Sequence, residues 1–177
     1  MIFECENISI DMRGANPDKK ELRPASFKGV MRFWWRAING ENSKYENFGT
    51  MEKKSSFSIK ISKYEGIPKN FKIEFLLSNR CDIDIKSFFE LVVLLGGFGK
   101  SSKKINSGKM KIVKIDNDDY SFNITLPYIL NLLNQFDKKF KIDNEKIIGK
   151  EGFKIWIDND VLNTKINNKI FQRTFNV

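Results

Sequence analysis

The chain has 177 residues, 41% of them hydrophobic, and carries a net charge of +9, with 16 phenylalanines and no histidine. This hydrophobic content supports one folded domain, or one domain and a fragment, and argues against disorder of the whole chain. The absence of histidine excludes an imidazole general base, and Cys5 and Cys81 are too few for a zinc site or a disulfide framework.

The positive charge is concentrated in the first two thirds of the chain. Residues 1–116 contain 22 basic and 14 acidic groups, whereas residues 117–177 contain 9 and 8. Such a balance favours a polyanionic partner, nucleic acid first and an anionic membrane surface second. The first residues lack the features of a signal peptide, and the longest uncharged apolar run, 91–95, is too short to span a membrane. We therefore expect a cytoplasmic protein without a membrane partner.

Strand and helix patterns alternate over residues 1–116. In chain order we predict a strand at 2–10, a helix from an N-cap at Ser26 to a stop at Gly40, strands at 56–62 and 71–78, a helix at 83–95 and a strand at 109–115. The helical spacing predicts core-facing side chains at Phe27, Val30, Met31, Trp34 and Ile38, and at Phe88, Leu91, Val92 and Leu95. This order is that of the ferredoxin-like (RRM-like) βαββαβ unit. The fold class we predict is therefore α+β, with a ferredoxin-like domain at 1–116.

The remaining residues, 117–177, predict a short α/β C-terminal extension. A helix is expected over 126–139, with Pro127 in its first turn, followed by two strands at 153–157 and 166–171. The segment is too short for a second copy of the first unit. It is expected to be either a cap on the first domain or a truncated second domain.

The segment RPASFKGVMRFWWRA, residues 23–37, is the most informative part of the chain. Four of the six arginines fall between Arg13 and Arg36, in a chain with 25 lysines. Arginine binds phosphate bidentately, and tryptophan offers a face on which bases stack. Helical spacing places the following residues on one stripe opposite the core-facing side: Lys28, Arg32, Trp35, Arg36 and Asn39. The stripe predicts an RNA-binding face with Trp35 outward; the alternative is a solvated face with Trp35 packed under a loop.

A second candidate is the loop GGFGKSSKKINSG, residues 96–108. It has four glycines, and residues 96–114 contain six lysines and no acid, a composition suited to phosphate contacts. The alternative is a flexible linker. Gly99-Lys100-Ser101 resembles the end of a P-loop, but position 94 is leucine and the loop follows a helix, so a nucleotide triphosphatase is excluded.

Candidate catalytic groups are few. Asp11, Asp18 and Glu21 follow the first strand and could in principle assist backbone cleavage of RNA, but such loop carboxylates are usually solvated groups. We therefore expect no enzyme activity, no cofactor and no metal site.

Three segments together resemble one known family. GANPDKKELRPASFKGVMRFWWRA, ENFGTMEKKSSFSIKIS and LGGFGKSSKKINSG are similar to the N-terminal domain of the RAMP-superfamily first subunit of the Cmr (type III-B) CRISPR effector complex. The resemblance covers about residues 13–116. Members of that family usually carry two ferredoxin-like domains, and their loop is usually richer in arginine and glycine than the present one.

The resemblance implies a non-catalytic subunit that holds the backbone of the guide RNA (crRNA) in antiviral defence. The partners it implies are single-stranded RNA and other subunits of the Cmr complex. The RNA is crRNA, with target RNA as a second option. By motif, the implied RNA-binding residues are Arg23, Ser26, Lys28, Gly29, Arg32, Trp35, Arg36, Gly97, Gly99, Lys100, Lys103, Lys104 and Gly108. The alternatives are a metal-independent endoribonuclease that processes CRISPR RNA, and an assembly subunit that contacts only proteins.

Overall fold

A computed structural model describes residues 1–13, 18–40, 45–62, 64, 66–99, 105–121, 123–150 and 152–174. In chain order its helices and strands are β1 (Ile2–Asn7), α1 (Pro24–Asn39), a short 3-10 helix (Tyr45–Phe48), β2 (Phe57–Ile61), β3 (Asn70–Leu77), α2 (Ile85–Leu95), β4 (Met110–Ile115), β5 (Asp118–Asp119), α3 (Leu126–Asn134), β6 (Lys141–Asp143), β7 (Lys146–Ile148), β8 (Phe153–Asp158), β9 (Val161–Ile166) and β10 (Lys169–Thr174). The prediction of an α+β protein is confirmed.

The first sheet contains the strands that alternation predicted in residues 1–116. Its order is β2-β3-β1-β4-β5, and every neighbouring pair is antiparallel. The six predicted elements occur in the predicted order, from strand β1 to strand β4. Their bounds differ from the predicted ones by at most three residues, because terminal residues of a pattern are the least constrained by burial.

Helix α1 begins three residues earlier than predicted, with Arg23 rather than Ser26 as its N-cap. Pro24 occupies the first turn, and the backbone N–H of Ser26 donates to Arg23 O at 2.9 Å, so the prediction of Ser26 as N-cap is wrong. Proline is suited to this position because it lacks the N–H that a first turn leaves unpaired. The predicted stop is confirmed: Gly40 has φ +83° and donates its N–H to Arg36 O at 2.8 Å.

Residues after α3 form five strands rather than the two predicted. They make an antiparallel meander, the second sheet, in the order β10-β9-β8-β7-β6. Its hairpins turn at Asn144-Glu145 and Asn159-Asp160, where all four residues have positive φ. Asparagine and aspartate tolerate this conformation, which two-residue hairpin turns require. Helix α3 ends at Asn134 instead of 139.

Helix α2 lies between the two sheets and is buried on every side from Phe88 onward, whereas Lys86 in its first turn is exposed. Each residue from Phe88 to Leu95 is at most 4% exposed, including the polar Glu90, onto which the hydroxyl of Tyr128 donates a hydrogen bond. The helix contacts α1 and β4 on one side and α3, β9 and β10 on the other. The predicted inward positions are correct, but burial is not confined to them, since apolar residues cover this part of the helix on all sides.

Two buried basic side chains bind backbone carbonyls at the C-terminal end of α2, Arg173 from the second sheet and Lys109 from the residue before β4. Arg173 on β10 donates to Val93 O at 2.6 Å and to Met110 O at 2.9 Å. Lys109 Nζ donates to Gly96 O at 2.7 Å, and burial, together with the nearby Arg173, lowers the pKa of Lys109 to about 7. Helix carbonyls that lack an intrahelical partner attract cations, so this end of α2 is a favourable place for them.

Trp35 belongs to the core, so the prediction that it faces outward is wrong. It is 4% exposed, and its ring centroid lies 5.1 Å from that of Phe88, 5.9 Å from Phe136 and 5.8 Å from Phe48. Phe48, in the 3-10 helix, and Phe136, just after α3, cover a side of α1 that one sheet alone would leave exposed. The alternative prediction, in which Trp35 packs beneath another segment, is therefore correct for this residue.

Trp35→Ala is therefore expected to lower the free energy of unfolding by about 3–5 kcal/mol, because it leaves a cavity among aromatic rings. Urea denaturation followed by circular dichroism measures the change. Met51→Ala is the control, since Met51 is fully exposed, and it is expected to change stability by no more than about 0.5 kcal/mol. A loss of similar small size for Trp35→Ala would contradict the buried position.

Candidate nucleic-acid interface

The solvent-facing side of α1 carries an exposed ridge with a cleft on each flank. Gly29 and Arg36 are exposed on the ridge. Lys28 and Arg32 lie toward one cleft, and Ser26 lies toward the other. The predicted stripe is therefore only partly observed: its charged members reach the surface, while Trp35 does not.

The first flank is a basic depression, here called the cationic cleft. It has a volume of about 670 Å³ and lies between α1 and the segment that follows the 3-10 helix. Its lining residues are Lys28, Arg32, Phe48, Gly49, Thr50, Met51, Lys53, Lys54 and Ser55. Four of these nine side chains are cationic, and none is acidic. The cleft therefore has the charge and the hydroxyl donors that a phosphate group requires.

Hydrogen bonds to the backbone fix two of the cations of the cleft. Arg32 Nη2 donates to Phe48 O at 2.8 Å and to Gly49 O at 3.2 Å. Lys28 Nζ donates to Phe57 O at 3.0 Å and lies 4.8 Å from the centre of the Phe57 ring. These acceptors are neutral, so the bonds orient the side chains without cancelling their charge. Partial burial, and then the charge of Arg32, lower the pKa of Lys28.

A tight turn brings two further lysines to the same cleft. Gly49 has φ +85°, and the next residue, Thr50, donates its backbone N–H to Lys53 O at 2.9 Å. The Thr50 hydroxyl oxygen accepts the backbone N–H of Lys53 at 3.0 Å. Lys53 also pairs with Glu46 at 2.8 Å, whereas Lys54 is exposed at the rim. Neither lysine is among the binding residues predicted from the sequence, although both lie in the segment ENFGTMEKKSS.

The second flank, here called the glycine cleft, has a volume of about 350 Å³. Its lining residues are Ser26, Gly29, Val30, Phe33, Trp34, Gly97, Lys169 and Phe171. Lys169 Nζ lies 5.5 Å from the centre of the Phe33 ring and supplies the cation of this cleft. Gly97 is the part of the glycine-rich loop that reaches it. The described part of that loop therefore meets α1 on the flank opposite Lys28 and Arg32.

Two glycines of the loop are required by the fold itself. Gly99 has φ +103° and forms a parallel bridge with Asp11; a Cβ there would lie 2.0 Å from Asp11 O. Gly108 has φ +70°, and a Cβ there would lie 2.5 Å from Phe98 O. Both glycines permit close backbone approach within the protein, so their contribution to RNA binding stays a prediction. Lys100, Lys103 and Lys104 lie outside the described residues.

Gly29 differs, because nothing in the described structure requires a glycine there. It lies in the middle of α1, is exposed, and a Cβ built on it would have no neighbouring atom within 4 Å. Glycine in a helix interior is less favourable than alanine by about 0.5–1 kcal/mol. Gly29 therefore lowers the stability of the helix although no internal contact requires a glycine. This is expected where the backbone of a binding partner approaches the helix closely.

Arg23 lies at the N-terminal end of α1. Its Nε lies 3.6 Å from Glu21 Oε1, and both side chains are more than 40% exposed. An ion pair this exposed contributes little to stability and is easily exchanged for another anion. Arg23 and Arg36 thus extend the basic surface along α1, beyond the two clefts.

The open face of the first sheet has a different character. Its lysines pair with glutamates: Lys72 Nζ lies 2.6 Å from Glu4 Oε1, and Lys69 Nζ lies 3.6 Å from Glu6 Oε1. The hydrogen bond and charge of Lys72 lower the pKa of Glu4. Alternation places Phe3, Phe57, Phe71 and Phe75 on the inner face. The outer side chains of the described strands β1 to β4 therefore offer no aromatic platform of the kind used by RRM sheets.

The described residues contain neither a cluster suited to a metal ion nor a helix suited to cross a membrane. Within them, no group of three or more His, Cys, Asp or Glu side chains is arranged to hold a metal ion. No helix in the described part of the chain is long and apolar enough to cross a membrane.

A comparison with family models finds a match over most of the chain. The model described as RAMP superfamily matches residues 12–172, which include both clefts, the glycine-rich loop and most of the second sheet. A comparison with curated proteins finds no match. RAMP proteins are in general CRISPR-associated and bind RNA together with other subunits of CRISPR complexes. From its match over nearly the whole length, this chain belongs to the RAMP superfamily.

Proposed function

We propose that the chain is a non-catalytic RNA-binding subunit of a type III-B (Cmr) CRISPR effector complex that holds the backbone of crRNA. The observation that carries the proposal is the surface of α1, where an exposed glycine without a packing role is flanked by the cationic cleft and the glycine cleft. The Cmr assignment is supported by the motif RPASFKGVMRFWWRA and by the two other segments that resemble that family.

The geometry favours recognition of the RNA backbone rather than of the bases. Gly29 lets a sugar-phosphate chain approach the helix axis, and Lys28, Arg32 and Lys54 lie on one side of it. Phosphate contacts carry affinity without sequence information. Since both tryptophans of α1 are buried, bases have no indole of this helix on which to stack. A subunit of this kind would bind many guide sequences.

We also propose that the first part of the chain has the ferredoxin-like topology. We assign β1, α1, β2, β3, α2 and β4 to a ferredoxin-like unit, supported by their order along the chain and by the strand order β2-β3-β1-β4. The second sheet, which packs on α2 and α3, is then the extension that covers this unit. Other Cmr subunits as partners and a cytoplasmic location are part of the proposal.

The two alternatives make different demands on the chain. An endoribonuclease needs groups that transfer protons, and the sequence contains no histidine for this purpose. An assembly subunit that contacts only proteins could also use Gly29 for close approach, but it would not need the four cations of the cationic cleft beside it. We therefore rank RNA holding above both.

Gly29→Ala separates a structural from an RNA-related role for this glycine. We expect the free energy of unfolding to rise by about 0.5–1 kcal/mol, because alanine favours the helix and has free space here. RNA affinity is expected to fall several-fold, since the methyl group occupies the path of the RNA backbone. Urea denaturation and fluorescence anisotropy with labelled oligouridine measure the two effects. A variant that is more stable and binds RNA as tightly as before would contradict the proposed contact.

The double substitution Lys53→Ala/Lys54→Ala tests the cationic cleft. Each phosphate contact in a single strand contributes about 0.7 to the slope of log K against log salt, so the slope is expected to become shallower by about 0.7 to 1.4. The matched control is Lys60→Ala/Lys111→Ala, which removes the same charge from the open face of the first sheet. Equal losses in the two variants would mean that net charge, not this cleft, determines binding.

Incubation of the full chain with CRISPR repeat RNA, without added metal, tests the endoribonuclease alternative. We expect intact RNA on a denaturing gel at protein excess. Discrete cleavage products would contradict the non-catalytic proposal if they persist after the protein is repurified. They would indicate an enzyme if they are absent with a variant that lacks the carboxylates of Asp11, Asp18 and Glu21.

A further inference from the structure

The outer face of the second sheet has a composition unlike that of the first sheet. The inner face is settled by burial, because Ile147, Phe153, Ile155, Leu162 and Phe171 are each at most 5% exposed. Neighbouring residues on a strand point to opposite faces. By this alternation and the strand register, the outward residues of β6 to β9 include Lys141, Asp143, Lys146, Ile148, Lys154, Trp156, Asp158, Val161 and Lys165. Asn163 is on the same face but is only 5% exposed, and it accepts a hydrogen bond from Gln172 at 2.9 Å.

Trp156 lies at the centre of this outer face. Its chain neighbours Ile155 and Ile157 belong to the core or pack against it, so the indole points away from the core. In the register, Trp156 is opposite Lys146 on β7 and Asn163 on β9. It is partly exposed, whereas Trp34 and Trp35 are 1% and 4% exposed. Trp156 is thus the indole of this chain that an external base can reach.

Lysines surround this indole. Lys154 and Lys165 are directly opposite each other on β8 and β9, and Lys141 lies in the same cross-strand row on β6. Since neighbouring strands are about 4.8 Å apart, this row extends about 14 Å across the sheet. Lys146 follows in the next row, opposite the tryptophan. The basic row therefore runs beside the exposed indole rather than at a distance from it.

The ion pairs of the described residues do not include these lysines. Over the described residues, none of the four lysines forms an ion pair, in contrast to Lys69 and Lys72 on the first sheet. Of the two outward acids, Asp143 on the edge strand β6 is opposite Lys146 in the register, and Asp158 lies at the end of β8. A polar depression of about 450 Å³ adjoins Lys154 and Lys165 and is bounded by the turn at Asn167-Asn168.

This combination fits single-stranded nucleic acid better than a protein. Lysine is depleted from protein–protein interface cores, yet here it surrounds the only large aromatic ring of the outward set named above. Single-stranded nucleic acids bind to surfaces that combine cations for the phosphates with aromatic rings for the bases. A duplex has no free base face to stack on an indole.

We propose that the outer face of the second sheet is a further RNA-binding surface, on which Trp156 stacks with a base of single-stranded RNA while Lys141, Lys146, Lys154 and Lys165 contact its phosphates. The surface does not include α1 and therefore goes beyond the proposed function. Together with the backbone contacts of α1, it would give the chain two separate places to hold one RNA strand.

Tryptophan emission of the full chain, titrated with oligouridine, reports on this surface directly. Stacking on Trp156 is expected to quench emission saturably, since the other two indoles are buried. Trp156→Ala is expected to weaken oligouridine binding about tenfold by anisotropy. Lys154→Ala/Lys165→Ala is expected to weaken the quenching titration and to reduce its salt slope by about 1.4. Lys60→Ala/Lys111→Ala, with the same loss of charge, is expected to leave the quenching titration unchanged.

The outcomes separate this inference from the proposed function. Unchanged emission, together with wild-type affinity in Trp156→Ala, would overturn the inference even if Gly29→Ala weakens binding. Quenching by duplex RNA or by anionic vesicles as strong as that by oligouridine would also overturn it. If oligouridine quenches the emission while Gly29→Ala and Lys53→Ala/Lys54→Ala bind RNA normally, the inference is supported and the proposed role of α1 is contradicted. Thermal melts by circular dichroism establish that each variant is folded.

Discussion

The burial of α2 from Phe88 to Leu95 is the constraint on which the rest of the structure depends. Apart from Glu90 this part of the helix is apolar on all sides, and a helix of this kind must be covered on all sides. The first sheet and α1 cover one side of it, and α3 with the second sheet covers the other. One face of each sheet is therefore committed to the core. What is left for a ligand is the outer side of α1 and the outer face of each sheet.

The same arrangement fixes the base of the glycine-rich loop. Thr174 on β10 donates its backbone N–H and its hydroxyl to Asn106 Oδ1, each at 2.9 Å. The Ser9 hydroxyl donates to Asn106 O, so the end of β1 holds the same residue. On the other side of the loop, Gly99 bridges to Asp11. The second sheet thus contributes to the position of a loop that belongs, in sequence, to the first unit.

Much of the fold could be predicted from local patterns, and the errors have identifiable causes. Alternation and helical spacing were sufficient for the four main strands of the first sheet and for α1 and α2. Trp35 shares helical spacing with Lys28 and Arg32, but it also lies four residues after Met31 and three before Ile38. Only the contacts with Phe48 and Phe136, from distant segments, decide between these two sides. The five short strands after α3 were missed, although the asparagine-containing turns were visible in the sequence.

The candidate site was predictable in part for the same reason. Arg32, Lys28 and Gly29 could be found because they belong to one helix and one motif. Lys53 and Lys54 join them through a turn that spacing alone does not position, and Trp156 stands out only after the register of the second sheet is known. Surfaces built from separate segments depend on tertiary packing, which a local pattern does not contain.

Ultraviolet crosslinking of the chain to photoreactive oligouridine, mapped by mass spectrometry, tests most directly whether α1 is where RNA lies. Crosslinks are expected in the peptides that contain residues 24–39 and 48–55, which are α1 itself and the segment that forms the other wall of the cationic cleft. Crosslinks concentrated instead on the outward residues of β1, β3 and β4, the open face of the first sheet, with none on α1, would contradict this expectation.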